Sequence, residues 1–490
     1  MQLTTPQADR AAGVLLGQGV GDALGVPYEF GTPPGPDELA EMLGGGLING
    51  APGEWSDDTS MAVAVAQAAV QHCDLASAEG LTAVARNFLC WYAGRPADIG
   101  IQTRAVLAAV ADQADDPQVG LLMHEAAAAY ADRHSRSAGN GALMRTSPVA
   151  LASLDDREQT ARAARAVAEL THADPLAGDA CVLWSEAIRV AVLEARIDVE
   201  AGLDLLPATR RNDWTAWIAD ARSWPAWTFR PNGYTVTALQ AAVAAITQTD
   251  VPILDPAKWA FPCLHLQDSL HAAVRIGDDT DTVAAIAGGL LGARWGASAV
   301  PFHWRRIVHG WPGLRSRDLQ AFGTSIVAHA PISGWPNIPE MRYEDPASEG
   351  VVPHPYDEGV LLGTMRSLNH GATAIVSLCR VGTDEPLFGE AAPENRIDSR
   401  LIDSGHAADN ANLHFLLSDA ADAVRQLRAE AHTVLLHCVA AQQRTPSVAL
   451  AYAALLGHDP AEAASRIQAE LSTTRGHGPV WEAAKELGGS

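Results

Sequence analysis

The sequence predicts two domains, a large all-α helical bundle in front and a small α/β domain behind. Three observations carry this expectation. The chain has 490 residues, more than one hydrophobic core usually organises. Its residues are 48% hydrophobic, and Ala, Leu and Val outnumber Phe, Tyr and Ile, which favours closely packed helices. Alternation of strand-like and helix-like runs begins only in the last third of the chain.

From about Arg10 to Arg294 the chain is a succession of Ala-rich amphipathic stretches, among them MAVAVAQAAV, ARAARAVAEL and SEAIRVAVLEAR, divided by short Gly, Pro or Asp punctuation. The first stretch carries Gly13, Gly17, Gly21 and Gly25 on one helical face, and a late one carries Gly288, Gly292 and Gly296. Glycine weakens a helix, so such faces mark close approach of another backbone or a ligand; the alternative is loose helix packing. Between about residues 301 and 355, Trp, Pro, Gly and His accumulate. A linker is expected over residues 321–344, dividing a domain at 1–320 from one at 345–490. Beyond it, ATAIVSLC (Ala372 to Cys379) and HTVLLHC (His432 to Cys438) read as strands, with LSDAADAVRQLRAEA and TPSVALAYAALLG as helices around the second. That order indicates a largely parallel sheet.

Charge and cysteine usage exclude several classes of function. With 34 Lys and Arg against 58 Asp and Glu, the formal charge is -24, which repels nucleic acid and anionic lipid over most of the surface. An anionic substrate then requires a local cation or helix N-terminus. The six cysteines show no CxxC or other metal-ligand spacing, which fits a reducing compartment. The first residues lack a basic stretch followed by an apolar run, and no segment is apolar for long enough to cross a bilayer. A soluble, cytoplasmic protein is expected.

Two short segments concentrate hard oxygen ligands directly ahead of long apolar helices. One is WSDDTSM, with Ser56, Asp57, Asp58 and Thr59; the other is GDDTDTVAAIAG, with Asp278, Asp279, Asp281 and Thr282. A helix N-terminus calls for one capping carboxylate, whereas three acids in four positions repel one another unless a cation lies between them. Two helix starts brought together would form an all-oxygen site suited to Mg²⁺ or Mn²⁺, and a shared carboxylate could bridge two ions. Two ordinary acidic N-caps are the alternative.

Five ordered motifs then resemble those of the ADP-ribosylglycohydrolase family. They are GQGVGDALGVPYEF, WSDDTSM, SAGNGALMRTSPVAL, LTHADPLAGDAC and GDDTDTVAAIAGGLLGARWG, spread over about residues 10 to 300. The resemblance implies an all-α fold with a binuclear Mg²⁺ or Mn²⁺ centre in a cleft that holds ADP-ribose. It implies Ser56, Asp57, Asp58, Asp279, Asp281 and Thr282 as metal ligands; many relatives have Thr in place of Ser56, whose hydroxyl coordinates equally. Glu29 matches an acidic residue near the metals. His172 and the Gly139-Asn140-Gly141 turn match segments that contact ribose and phosphates. A glycosidic bond breaks through an oxocarbenium-like transition state, so an activated water is needed, and Asp58 or Glu29 could take its proton. His172 as a satisfied core histidine and Asn140 as a plain turn residue are the alternatives. The implied partner is an ADP-ribosylated protein or small-molecule conjugate. Whether ADP-ribose leaves Arg, Ser, a base or a metabolite is left open by these motifs.

The rear domain has its own constellation. In VLLHCVAAQQRTPSVAL, Cys438 ends an apolar strand and Arg444 follows six residues on, opening a helix. Turn N–H groups and the helix N-terminus favour a bound phosphate and a thiolate, and Arg444 can grip two phosphate oxygens. The segment resembles the signature of cysteine-dependent dual-specificity phosphatases, through His437, Cys438, Arg444 and Thr445. That resemblance implies a phosphorylated substrate with Asp403 as general acid, Asp409 being the fallback. Ala441 stands where that family has Gly. A structural Cys at a strand end, a non-catalytic reader of phosphate or ADP-ribose, and a binding scaffold without activity are the competing readings.

Overall fold

A capping box opens the first helix, Thr5–Gly25, with the Thr4 hydroxyl accepting from the Gln7 amide and the Gln7 side chain accepting from the Thr4 amide. Every residue from Arg10 to Gly25 is buried, so this helix is the axis of its unit rather than a surface helix. The structure is a computed structural model that describes residues 2–72, 74–329, 349–382, 385–399 and 401–488. The chain forms two units, one of Met1–Asp250, His265–Val300 and Ile307–Asn337, the other of Val251–Leu264, Pro301–Arg306 and Ile338–Ser490.

In the first unit the central helix lies against Thr280–Trp295 by the two glycine faces. A Cβ at Gly17 would collide with the Gly288 carbonyl, and one at Gly13 with the Gly292 carbonyl. The backbones therefore touch, which resolves the choice between close approach and loose packing. The unit is helical as expected, apart from one small hairpin of β1 (His309–Gly310) and β2 (Leu314–Arg315), whose residue His309 pairs with Gly53 and Trp55 through backbone hydrogen bonds. Residues 321–328 of the expected linker belong to the helix Ser316–Ala328, which buries Leu319, Phe322 and Ile326. Residues 330–344 lie outside the described residues.

The second unit holds a five-stranded sheet in the order β3-β4-β7-β5-β6, from Val352–His354, Asp357–Thr364, Val434–Cys438, Ala374–Ser377 and Arg396–Asp398. Strands β4, β7, β5 and β6 run parallel, and β3 is an antiparallel edge. The largely parallel sheet agrees with the sequence reading, but three of its strands carried no periodic signal. Segments 251–264 and 301–306 cluster with this unit rather than with the helical one. Buried Asp419 explains the second of them: it accepts from Arg305 Nη2 at 2.6 Å and from the Phe302 amide at 2.7 Å. Phe261 meets the Phe415 ring edge to face at 6.1 Å, which accounts for the first. Among the described residues no helix is long and apolar enough to cross a membrane.

Candidate functional site

The glycine contact decides where the acids go. A Cβ at Gly25 would collide with the backbone of Asp281, so the end of the first helix and the start of Thr280–Trp295 meet without side chains between them. Asp22, one turn earlier, then faces the start of Asp57–Gln71. Its two carboxylate oxygens accept from the amides of Ser56 and Thr59, both at 2.9 Å. Three helix termini thus converge, and two carboxylate triads result: Asp22, Asp58 and Asp281, and Glu29, Asp279 and Asp281, each with oxygens within 4.8 Å of one another. Asp281 belongs to both.

No ion pair among the described residues reaches these five carboxylates, and burial drives them towards the protonated form. Desolvation, then repulsion from Asp98, Asp279, Asp57 and Asp22, pushes the Glu29 carboxyl up to about 9. Asp57 rises to about 8 by burial and by repulsion from Asp98, Asp22 and Asp279. Asp22 rises to about 6 by burial, and Asp58 and Asp281 lie well above the carboxylate range for the same first reason. Asp58 Oδ1 and Glu29 Oε2 are buried with no hydrogen-bond partner among the described residues. Orphaned carboxylate oxygens among like charges fit a hard divalent cation, and an all-oxygen donor set fits Mg²⁺ or Mn²⁺ rather than zinc.

Ser56 caps its helix and donates to Asp58 Oδ2 at 2.8 Å. The Thr282 hydroxyl bonds Asp279, and the Thr282 amide donates to Asp281 Oδ1 at 3.0 Å. Asp57 lies outside both triads and lines the adjoining cavity. Asp22, by contrast, is a lone acid in its stretch of sequence. Its signal was there, since a carboxylate inside an apolar, Gly-rich helical run needs a partner.

Asn140 Nδ2 donates to Asp279 Oδ2 at 2.7 Å, which ties the Gly139-Asn140-Gly141 turn to the acids. Asn232, fully buried, holds both sides: its carbonyl accepts from Asn140 Nδ2 at 3.1 Å, its Oδ1 from the Asp279 amide at 3.0 Å, and its Nδ2 donates to the Gly277 carbonyl at 3.0 Å. A lone Asn between Pro231 and Gly233 carries no distinguishing signal in the sequence. His172 is 3% exposed and lies under that same turn, where a Cβ at Gly141 would stand 2.9 Å from its Cε1. Burial, then Arg145, pushes it down to about 3, so it is neutral. Arg145 donates to Thr171 Oγ1 at 2.6 Å, and that hydroxyl shares a hydrogen bond with His172 Nδ1 at 2.8 Å.

Beside Ser56 and Asp57 opens a cavity of about 310 Å³ lined by Trp55, Trp91, Trp311, Glu54 and Asp98.

In the second unit, β7 ends at Cys438, and the loop of residues 439–443 leads into the helix Arg444–Leu455. The loop carbonyls point outwards: Val439 accepts from the Met365 amide, Gln442 from the Arg475 amide and Ala441 from the Thr473 hydroxyl. Among the described residues nothing accepts from the loop N–H groups. Ala441 has φ 51°, the conformation for which Gly is suited. Arg444 donates to the carbonyls of Leu378 at 3.0 Å and Leu401 at 3.3 Å, and lies 3.8 Å from the Asp403 carboxylate. The hydroxyl of Thr445 is turned towards the Gly363 carbonyl at 3.5 Å. His437 donates or accepts at Ser377 Oγ, 2.8 Å away, and burial pushes it down to about 3. Asp409 accepts from the Ser404 hydroxyl.

Known proteins resemble this chain. Residues 3–331 match the ADP-ribosylglycohydrolase family. ADP-ribosylarginine hydrolase Tri1 of Pseudomonas putida (strain GB-1) is 30% identical over 340 residues, 67% of this chain and 81% of that protein. The ADP-ribosyl-dinitrogen reductase glycohydrolase of Rhodospirillum rubrum is 28% identical over 308 residues, 60% of this chain and 89% of its own. A solved structure of an ADP-ribosylglycohydrolase-related protein complex is 27% identical, with a TM-score of 0.48, covering 66% of this chain and 99% of that one. By the extent of the family match and the identity to its members, the chain belongs to the ADP-ribosylglycohydrolase family.

Proposed function

We propose that the helical unit is a divalent-metal-dependent hydrolase that frees ADP-ribose from the guanidinium of ADP-ribosylated arginine, on a protein or a small conjugate. The observation that carries this reading is the pair of carboxylate triads sharing Asp281. Asp22, Asp58 and Asp281 would hold one ion of Mg²⁺ or Mn²⁺, and Glu29, Asp279 and Asp281 a second, with the hydroxyls of Ser56 and Thr282 at hand. When bound, such ions supply positive charge that polarises ribose hydroxyls and eases proton loss from water. The chain's own groups do the rest. Glu29 Oε2, buried and unpartnered, takes the proton of the water that attacks the anomeric carbon, and Asp58 Oδ1 is the second such acceptor. The Gly139-Asn140-Gly141 turn, backed by neutral His172 and tied to Asp279 through Asn140, would line the ADP-ribose side of the site. The arginine linkage is supported by the likeness to the ADP-ribosylarginine hydrolase Tri1 and by acids around the adjoining cavity.

Chromatographic release of ADP-ribose from arginine-linked and serine-linked conjugates, with Mg²⁺, Mn²⁺ or EDTA, tests the proposal. Turnover should require metal and should vanish in Asp281→Asn, which keeps side-chain volume but removes the shared charge. Wild-type turnover in EDTA, or in the variant at saturating metal, would overturn it.

For the second unit, the outward carbonyls of residues 439–443 favour a phosphate site with Cys438 as nucleophile. Sγ would attack phosphorus while Asp403 gives its proton to the leaving oxygen, and Arg444 would turn to the phosphate. Turnover of an aryl phosphate that is lost in Cys438→Ser supports phosphatase action. Phosphate binding without turnover supports a reader instead.

A further inference from the structure

The cavity beside the carboxylates has a composition that the hydrolytic chemistry does not require. Trp91, 2% exposed, closes the helix Ala78–Ala93; Trp55, 3% exposed, precedes the Ser56 cap; Trp311 stands between β1 and β2. Two carboxylates share the walls with them. Asp98 spends one oxygen on its own neighbour's amide, that of Ile99, at 2.8 Å, and Glu54 one on the amide of Ala51 at 2.8 Å. Among the described residues no cation pairs with either. Indole faces together with carboxylates attract a planar, delocalised cation, which stacks on the rings and forks onto the acids. A neutral hydroxyl leaving group would gain nothing from them. The position is right for a leaving group as well, because Ser56 and Asp57 of the same cavity wall adjoin the triads, while Asn140 reaches the triads through Asp279.

We propose that Trp311, with Asp98 and Glu54, determines leaving-group specificity by holding the guanidinium and methylene stem of the modified arginine. The proposal rests on the hydrolase reading above, and its test separates the two. Trp311 is the residue to vary, since it is only half-buried at a hairpin turn. Steady-state kinetics on ADP-ribosyl-agmatine should show KM raised about tenfold in Trp311→Ala and restored in Trp311→Phe, as loss and recovery of a cation–π contact predict. Inhibition by ADP-ribose, which has no guanidinium, should stay at its wild-type value. An unchanged KM would overturn the proposal, and so would an equal weakening of ADP-ribose inhibition, which would mark general damage to the cleft. If the wild-type protein releases ADP-ribose from no conjugate, the hydrolase reading fails by itself. Saturation-transfer NMR with agmatine alone then decides the cavity: contact in the wild type that is lost in Trp311→Ala supports it, and no contact in the wild type overturns it.

Discussion

Ala441 shows what one methyl group can do. At φ 51° an L-residue is strained by about 1 kcal/mol relative to Gly, in the loop whose N–H groups have no acceptor among the described residues. Ala441→Gly should therefore stabilise the C-terminal unit by up to about 1 kcal/mol in denaturant unfolding. It should also strengthen the protection of Cys438 from iodoacetamide by phosphate. No protection by phosphate in either protein would show that the loop does not receive an anion. Asp22 makes the opposite point about legibility. The paired acids at residues 57–58 and 278–281 stand out because their density is abnormal for a helix start, whereas one Asp among glycines does not. Only its contact with the amides of Ser56 and Thr59 shows that it belongs with them.

The element on which the site depends is the glycine-faced pair Thr5–Gly25 and Thr280–Trp295. Its two faces differ in what a side chain would meet. A Cβ at Gly17 meets the Gly288 carbonyl and, at 3.0 Å, the Gly292 Cα, neither of which can yield without moving a helix. One at Gly19 meets the end of the Leu319 side chain at 2.8 Å, which can rotate away. Gly17→Ala should therefore cost roughly 1–3 kcal/mol or more by overpacking, and weaken Mn²⁺ binding because Asp281 moves with its helix. Gly19→Ala should be nearly neutral, since the gain in helix propensity of about 1 kcal/mol offsets the local adjustment. Urea midpoints and Mn²⁺ titrations of the two variants check this; equal losses would mean that the glycine face is not what sets the helix separation. Strand elements were less legible than helices. DEGVLLGT opens with two acids and RID has three residues, so neither shows a period, and pairing with β7 and β5 makes them strands.

At the scale of the whole molecule, two ligands should report on two different units. Hydrogen exchange should slow at residues 56–59 and 279–282 on adding Mn²⁺, and at residues 439–444 on adding phosphate, each leaving the other set unchanged. Protection by Mn²⁺ that spares residues 279–282 would refute the metal assignment. The sequence by itself determined the helical character of the first three hundred residues, the strand–loop–helix around Cys438, and the family, because period, capping residues and motif spacing are local properties of a chain. Tertiary structure alone decided that Asp22 joins Glu29, Asp58, Asp279 and Asp281, that Asn232 ties the Asn140 turn to them, and that residues 251–264 and 301–306 leave the helical unit. Each of these depends on contacts between residues far apart in sequence, set by how closely two glycine faces meet and by which buried charges, such as Arg305 and Asp419, find each other.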